Sequence, residues 1–195
     1  MAIRKRMVRR DELNGYRFVT ASCFHRMNLF ASPRIRDVFA HSLAAARQKH
    51  GFELFAWVLM PNHFHLLVRP CRASRSDALL LLAPMLRTLK QGVSQAVIPG
   101  MKRRDAAALV HMTGADGIAR FWQPGGGFDR NVRSLTEFTR EVWYIHNNPV
   151  RRGLVEQADD WKWSSVRWWM GVRDGEIECD PPPGKIDWNN WKGFK

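Results

Sequence analysis

The stretch ELFAWVLMPNHFHLLVR, residues 53–69, decides the fold, because it contains two strand-forming segments joined by a tight turn. The segments at 53–59 and 63–69 are apolar for most of their length, which is typical of strands. Only the three residues MPN separate them, and so short a connection joins antiparallel strands. The sequence therefore predicts a β-hairpin with the motif PNHFH around the start of its second strand.

Further elements surround this hairpin. They are predicted as a strand at about 16–24, a helix from Ser32-Pro33 to Gly51, a helix at about 77–97 that is interrupted or bent at Pro84, a short strand near 128–132, and a helix from Ser134 to about Asn148. Serine followed by proline favours a helix start, glycine ends a helix, and Pro149 disfavours helical geometry in the residue before it. The order β-α-β-β-α-β-α predicts an α+β fold, a ferredoxin-like antiparallel sheet with helices on one face.

Composition and charge restrict the class of protein. The chain has 195 residues, 45% of them apolar, which is enough for one domain with its own core. Three scattered cysteines without CxxC spacing argue against a secreted disulfide framework or a zinc ribbon and favour the cytoplasm. No apolar run approaches the ~20 residues of a membrane span. The formal charge of +13 predicts a polyanionic partner, nucleic acid before a membrane surface.

Local composition divides the chain into three parts. Residues 1–15 are predicted to be a basic N-terminal arm, residues 16–171 a single domain, and residues 172–195 a C-terminal extension without a core of its own. Within the domain, residues 99–127 are basic and rich in glycine, and we predict a long connection or insertion there.

His63 and His65 are candidate metal ligands. Alternate residues of a strand point to the same face, so the two imidazoles project together while Phe64 and Leu66 point the other way. At that spacing two imidazoles can converge on one metal ion. The alternative is a surface strand that carries two histidines by chance, since two ligands alone do not make a site.

The last predicted helix carries a tyrosine and an asparagine four residues apart. On a helical wheel, Tyr144 and Asn148 fall on the polar face, beside Glu137 and Glu141. The face predicted to pack on the sheet consists of Leu135, Phe138, Val142 and Ile145, with His146 on the same side. A phenol and a carboxamide would then emerge together, away from the core, and with the two histidines they would suit a divalent ion that polarises a phosphodiester. The alternative is an exposed tyrosine before a helix-ending Asn-Pro.

A set of basic residues and one tryptophan are candidates for contacts with nucleic acid. They are Arg4, Lys5, Arg6, Arg9 and Arg10 in the arm, Lys102, Arg103, Arg104 and Trp122 in the 99–127 segment, and Arg151 and Arg152 after the last helix. Proteins that bind single strands combine such charge with aromatic platforms on which bases stack. The alternative for each charge run is a solvated face.

Taken together, these motifs resemble those of a known family. PNHFHLLVRP, FWQPGGGFDRNVRS and YIHNNPVRRGLV occur in the order found in HUH-type single-tyrosine transposases, and the branch that the chain resembles most is the REP-associated tyrosine transposases of bacteria. The resemblance covers roughly residues 14–172. The Gly125–Gly127 stretch departs from the family pattern, which leaves the fourth strand and its DNA contacts open.

The resemblance implies a ferredoxin-like domain that binds single-stranded DNA beside a hairpin. It implies Mg²⁺ or Mn²⁺ on His63 and His65, with Asn148 as a third ligand and Tyr144 as the nucleophile on the C-terminal helix. The expected activity is that of an endonuclease and strand transferase with a 5′-phosphotyrosine intermediate. The expected setting is the bacterial cytoplasm, in association with the nucleoid, and the expected state is a monomer, with a dimer as the alternative.

Two other functions stay open at this point. A catalytically silent nucleic-acid-binding domain would use the same sheet face and would be indifferent to Tyr144→Phe and to a chelator. A metal-dependent nuclease that activates water would still cleave DNA after Tyr144→Phe. The cognate DNA, the physiological metal and the choice between transposition and simple nicking and joining are not predicted.

Overall fold

A four-stranded antiparallel sheet forms the centre of the fold. The computed structural model describes residues 15–70, 82–125, 127–175, 177–184 and 186. The strands are β1 (Tyr16–Ser22), β2 (Glu53–Met60), β3 (His63–Arg69) and β4 (Phe128–Val132), in the spatial order β2-β3-β1-β4. Each pair of neighbours is antiparallel. The predicted hairpin and the predicted α+β class with an antiparallel sheet are confirmed.

Two of the five helices, at 33–50 and 135–151, begin where the sequence predicts, the predicted start of the second helix near 77 lies outside the described residues, and two short helices at 106–111 and 166–169 were not predicted. The helices are α1 (Pro33–His50), α2 (Leu82–Arg104), α3 (Ala106–His111), α4 (Leu135–Arg151) and α5 (Val166–Trp169). Gly51 ends α1 in the left-handed conformation, with φ 60°. At the start of α4, the Ser134 hydroxyl accepts a hydrogen bond from the Glu137 N–H, and the Glu137 carboxylate accepts one from the Arg133 N–H. No helix within the described ranges is long and apolar enough to cross a bilayer.

The segment predicted as a long connection at 99–127 is partly helical. α2 continues past Pro99 to Arg104, and α3 follows one residue later. Pro84 is the third described residue of α2, and the described helix continues from it to Arg104 without interruption.

Two further boundaries differ from the prediction. β1 ends at Ser22, and the chain then turns through a short 3-10 helix at Phe24–Arg26. α4 runs through Pro149 to Arg151 instead of ending near Asn148. A proline this close to the C-terminal end removes one backbone hydrogen bond without breaking the helix.

Helices cover both faces of the sheet, which corrects the prediction that they lie on one face. α1 and α2 pack on the face that carries Val19, Phe64 and Leu66. α4 packs on the opposite face, where the apolar contacts are made by Phe18, Phe55, Val58, Met60, Leu67, Phe138, Val142 and Ile145. The physical reason lies in β2, whose residues 54–60 are all buried, so both of its faces need a covering layer.

β2 lies at one edge of the sheet, and segments from the C-terminal part of the chain cover that edge. Backbone hydrogen bonds join the Leu59 N–H to the Trp163 carbonyl at 2.8 Å and the Ser165 N–H to the Trp57 carbonyl at 2.9 Å. Further along, the Asp180 N–H donates to the Leu54 carbonyl at 2.7 Å. This covering satisfies backbone groups that an edge strand would otherwise expose. The described part of the C-terminal extension thus packs on the domain rather than forming a core of its own.

The approach of β4 to β1 depends on a glycine. Gly127 has φ +79°, and a Cβ atom there would lie 2.3 Å from the Thr20 carbonyl oxygen. We expect Gly127→Ala to lower the free energy of unfolding by about 1–3 kcal/mol, because both the conformation and the contact become strained. Urea denaturation of the variant measures this loss. Gly175→Ala is the matched control, since a Cβ there meets no atom within 4 Å; equal midpoints for the two variants would contradict the prediction.

Candidate active site on the α4 face of the sheet

The two histidines of β3 converge beneath α4. His63 and His65 are 9% and 5% exposed, and their Nε2 atoms lie 3.1 Å apart. The Nδ1 atom of His63 lies 2.6 Å from the Asn62 side-chain oxygen, and Nδ1 of His65 is hydrogen-bonded to the Thr20 hydroxyl. These partners fix the ring orientations and turn both Nε2 atoms toward one point. The predicted convergence of the two imidazoles is present.

Both imidazoles are neutral at physiological pH. Burial, together with the nearby Arg152 and Arg26, lowers the pKa of His63 to about 4. Burial, with His63 and Arg152 nearby, lowers the pKa of His65 to about 3. A neutral imidazole is the form that binds a metal ion. The site is therefore ready to donate two nitrogen ligands without first losing a proton.

α4 places Asn148 and Tyr144 against this pair. The Asn148 side chain is 3% exposed, and its amide nitrogen lies 3.2 Å from Nε2 of His65. Its side-chain oxygen is buried and has no hydrogen-bond partner among the described residues. The Tyr144 ring contacts His65 edge to face, with 5.3 Å between ring centroids, and Phe18 at 5.7 Å.

The prediction that Tyr144 and Asn148 point away from the core is wrong. The predicted packing face includes Leu135, but Leu135 is exposed because it lies in the first turn of α4. The residues that α4 buries include Phe138, Ile145 and also Asn148, so the buried arc extends to the flank that carries polar side chains. Tyr144 is half-buried at the border of this arc. The polar flank thus faces the histidines, not the solvent.

Glu141, which is also predicted on the polar face away from the core, is buried at the same interface. Its carboxylate pairs with Arg130 of β4, and the Arg130 guanidinium lies 5.8 Å from the centre of the Phe18 ring. Burial raises the pKa of Glu141, and Arg130 and Arg140 oppose that rise. The ion pair ties α4 to β4 next to the tyrosine.

The donor set fits a small divalent cation. Two ligands at right angles, each ~2.1–2.2 Å from a metal ion, lie ~3.0 Å apart, which is close to the 3.1 Å between the two Nε2 atoms. Amide oxygen and nitrogen are interchangeable by a rotation of the side chain, so the unpartnered oxygen of Asn148 can turn toward His65. No third His, Cys, Asp or Glu joins the pair in the described part of the chain. The remaining positions would be left for water or a phosphate oxygen.

Comparison with known proteins finds a curated relative and a solved structure that resemble the chain. No protein-family model matches the chain. The REP-associated tyrosine transposase of Escherichia coli (strain K12) is 26% identical over 129 residues, which are 66% of this chain and 63% of that protein. The chain is thus similar in sequence to a REP-associated tyrosine transposase. It spans 63% of the length of the curated relative that it matches.

A solved structure shares the fold of this chain. It is described as a REP-associated tyrosine transposase bound to a REP hairpin, and it covers 91% of this chain and 94% of its own. The TM-score is 0.63 and the sequence identity is 21%, so the likeness shows a shared fold.

The predicted DNA-binding residues of the chain lie in separate places. Arg151 lies over the Tyr144 ring, 5.2 Å from its centre, and Arg152 lines a pocket with His63. Arg103 and Arg104, which follow Lys102 at the end of α2, line a different groove between α1 and α2. Only the last pair of arginines is thus brought to the histidines. The arm residues Arg4, Lys5, Arg6, Arg9 and Arg10 lie outside the described residues.

Trp122 is a core residue, which corrects its prediction as a stacking platform. It is 6% exposed, its indole N–H donates to the Lys90 carbonyl at 2.9 Å, and its ring packs on Phe30 and Phe64. The glycine-rich sequence around it suggested an open loop. In the structure an isolated antiparallel β-bridge pairs Trp122 with Cys23, the residue that follows β1.

Several residues of the site were missed by sequence reasoning. Thr20 reaches His65 because the β1–β3 register sets them opposite each other, and no motif fixes that register in advance. Asn62 could have been found, since it precedes His63 directly. Arg26 joins the pocket of His63 only through the turn that follows β1.

The buried histidines make stability depend on pH. The pKa of His146 is also lowered by burial, to about 3. Because the unfolded chain binds protons at these three imidazoles below pH ~6.5 and the folded chain does not, stability is complete above that pH and falls as the pH drops toward 4. Each imidazole contributes a slope of up to about 1.4 kcal/mol per pH unit. Urea denaturation in chelator between pH 7.5 and 4.5 measures the slope.

The double variant His63→Gln/His65→Gln isolates the contribution of the site. We expect the free energy of unfolding of this variant to depend much less on pH than that of the wild type. The remaining dependence should be the contribution of His146. His41→Gln is the control, because His41 is exposed. An unchanged slope in the double variant would show that the two imidazoles are already protonated in the folded protein.

Proposed function

We propose that the chain is a transposase-like, divalent-metal-dependent DNA endonuclease and strand transferase with Tyr144 as its nucleophile. The observation that carries the proposal is the convergence of Tyr144 and Asn148 of α4 on the neutral pair His63 and His65. The homology to REP-associated tyrosine transposases supports a DNA-processing function of this class.

In the proposal, His63, His65 and the Asn148 side-chain oxygen hold Mg²⁺ or Mn²⁺. The bound ion would supply Lewis-acid stabilisation of the charge that develops on a phosphate oxygen. The protein's part is to present two imidazoles that need no deprotonation and an amide oxygen without another partner. Thr20 and Asn62 keep the rings oriented through their Nδ1 atoms.

Tyr144 would attack the scissile phosphorus. The bond from the phenolic oxygen to phosphorus forms, the bond from phosphorus to the 3′ oxygen breaks, and the phenolic proton is transferred to the departing 3′ oxygen. The products are a 5′-phosphotyrosine and a free 3′-hydroxyl. The Tyr144 ring is positioned for the attack by His65, Phe18 and the Arg151 guanidinium, which surround it. A second 3′-hydroxyl can reverse the step, which joins strands without ATP.

The proposed substrate is single-stranded DNA that carries a hairpin. The charge of +13 supports a nucleic-acid partner, and the related solved structure is described as bound to a REP hairpin. We propose that the protein acts as a monomer in the bacterial cytoplasm, at the nucleoid.

A covalent-adduct assay tests the nucleophile. Incubated with Mn²⁺ and a library of labelled hairpin oligonucleotides, the wild-type chain should give a protein–DNA adduct that survives denaturing electrophoresis. Tyr144→Phe should abolish the adduct, because the phenyl ring has no nucleophilic oxygen. Tyr16→Phe is the matched control: Tyr16 is the only other tyrosine, and its hydroxyl accepts from Arg69 within the described domain.

The other outcomes of this assay separate the alternatives. An adduct that persists in Tyr144→Phe would contradict the assignment of the nucleophile. Cleavage without an adduct in both proteins would favour a nuclease that activates water. DNA binding without cleavage, unaffected by chelator, would favour a silent nucleic-acid-binding domain.

A direct titration with Mn²⁺, followed by electron paramagnetic resonance, tests the metal site. We expect His65→Gln and Asn148→Leu each to weaken Mn²⁺ binding by about tenfold or more. Asn148→Asp should strengthen binding, because a carboxylate is a better ligand than an amide for a hard cation. His41→Gln, outside the site, should leave the affinity unchanged. Equal affinity in the wild type and His65→Gln would place any bound Mn²⁺ elsewhere.

A further inference from the structure

A basic pocket adjoins the histidine pair on the side away from Tyr144. It has a volume of about 210 Å³, and His63, Asn62, Asn28, Arg26 and Arg152 are among the residues that line it. Tyr144 and His65 do not line it. The pocket is therefore continuous with one end of the proposed metal site and distinct from the position of the nucleophile.

Arg152 reaches this pocket because of its place on α4. Tyr144, Asn148 and Arg152 are spaced by four residues, so they follow one stripe of the helix. Arg152 caps the C-terminal end of α4, about 12 Å along the axis from Tyr144. The stripe thus runs from the phenol over His65, past the amide, to the pocket beside His63.

Arg26 reaches the pocket through a strained turn. His25 and Arg26 have φ 48° and φ 55°, in the left-handed region that residues other than glycine seldom occupy. The turn is held by hydrogen bonds from the Cys23 N–H to the Asn62 carbonyl at 2.8 Å and from the His25 N–H to the Gln123 side chain at 3.0 Å. Strain of this kind persists where the surrounding contacts enforce it, and it clusters at ligand sites.

The two guanidinium groups have no partner of opposite charge among the described residues. No carboxylate is among the described residues that line the pocket. Neither the Arg26 nor the Arg152 side chain makes a hydrogen bond or ion pair with another described residue. Arginine is the residue best suited to bind a phosphate, through charge-assisted hydrogen bonds.

We infer that Arg26 and Arg152 form a second phosphate subsite, which holds the DNA backbone phosphate immediately 5′ of the scissile one. That this phosphate lies on the 5′ side of the scissile one rests on the proposed function. In phosphoryl transfer the attacking and leaving oxygens lie roughly in line. With Tyr144 on one side of the histidine pair, the departing 3′ oxygen and its nucleotide lie on the other side, where the pocket is.

The subsite has a consequence for strand joining. A 3′-hydroxyl end that is held by its own phosphate stays next to the phosphotyrosine after cleavage. The reverse reaction then needs no new encounter, so retention by the two arginines favours rejoining over release.

Binding of single-stranded dT15 tests the subsite without any cleavage. Fluorescence anisotropy on the full chain should show that Arg26→Gln/Arg152→Gln weakens binding by about tenfold and reduces the salt slope by about 0.7, the value for one lost phosphate contact. Arg34→Gln/Arg87→Gln is the matched control, because it removes the same charge from exposed positions on α1 and α2. Equal losses in the two double variants would overturn the subsite.

A phosphate substitution tests the direction. In an oligonucleotide that the wild type cleaves, a neutral methylphosphonate 5′ of the scissile phosphate should slow adduct formation about tenfold, and the arginine double variant should be insensitive to it. Sensitivity that persists in the double variant would overturn the assignment. If no hairpin gives an adduct with the wild type but the dT15 result holds, the proposed cleavage fails and the phosphate subsite stands.

Discussion

The packing of α4 on the histidine face of the sheet is the contact on which the site depends. Phe138, Val142 and Ile145 bury their apolar surface against the strands and hold the helix in place. The polar flank of the same helix is thereby pressed onto His65, and Asn148 and Tyr144 can meet the imidazoles only while this contact lasts. The Arg130–Glu141 pair adds a polar tie between α4 and β4.

That interface contains polar groups that a structural core would avoid. Two neutral imidazoles face each other, and an amide oxygen is buried without a partner among the described residues. Such burial costs free energy unless the groups are hydrogen-bonded. By contrast, His146, on the apolar side of α4, is fully buried and hydrogen-bonded to Ser165 at 2.8 Å. The Asn148 oxygen thus lies beside the two imidazoles without a partner among the described residues, and a ligand bound there would supply one.

The sequence predicts some of this arrangement and not the rest, for physical reasons. The strand period sets His63 and His65 on one face, and the hairpin follows from its short turn. The placement of Asn148 was wrong, because a helical wheel orders residues around an axis but does not say which arc meets the sheet. The uninterrupted apolar run of β2 contained the missing information, since a strand buried on both faces requires a helix on each side.

The net charge of the chain does not by itself show where a polyanion binds, because some of the arginines are paired with carboxylates. Six arginines each form an ion pair with a carboxylate, so their charge is compensated within the fold. They are Arg17, Arg47, Arg69, Arg120, Arg130 and Arg167. Arg151 instead lies on the face of Tyr144, and Arg152 and Arg26 face a pocket without a carboxylate among its described lining. A polyanion is attracted by the whole surplus, but it is positioned by the few cations whose charge the fold leaves uncompensated. Among the described arginines that form none of these ion pairs, Arg26, Arg151 and Arg152 lie beside the histidines and Tyr144, whereas Arg103 and Arg104 line a separate groove between α1 and α2. For the first group, the electrostatic and the chemical arguments lead to the same face of the sheet.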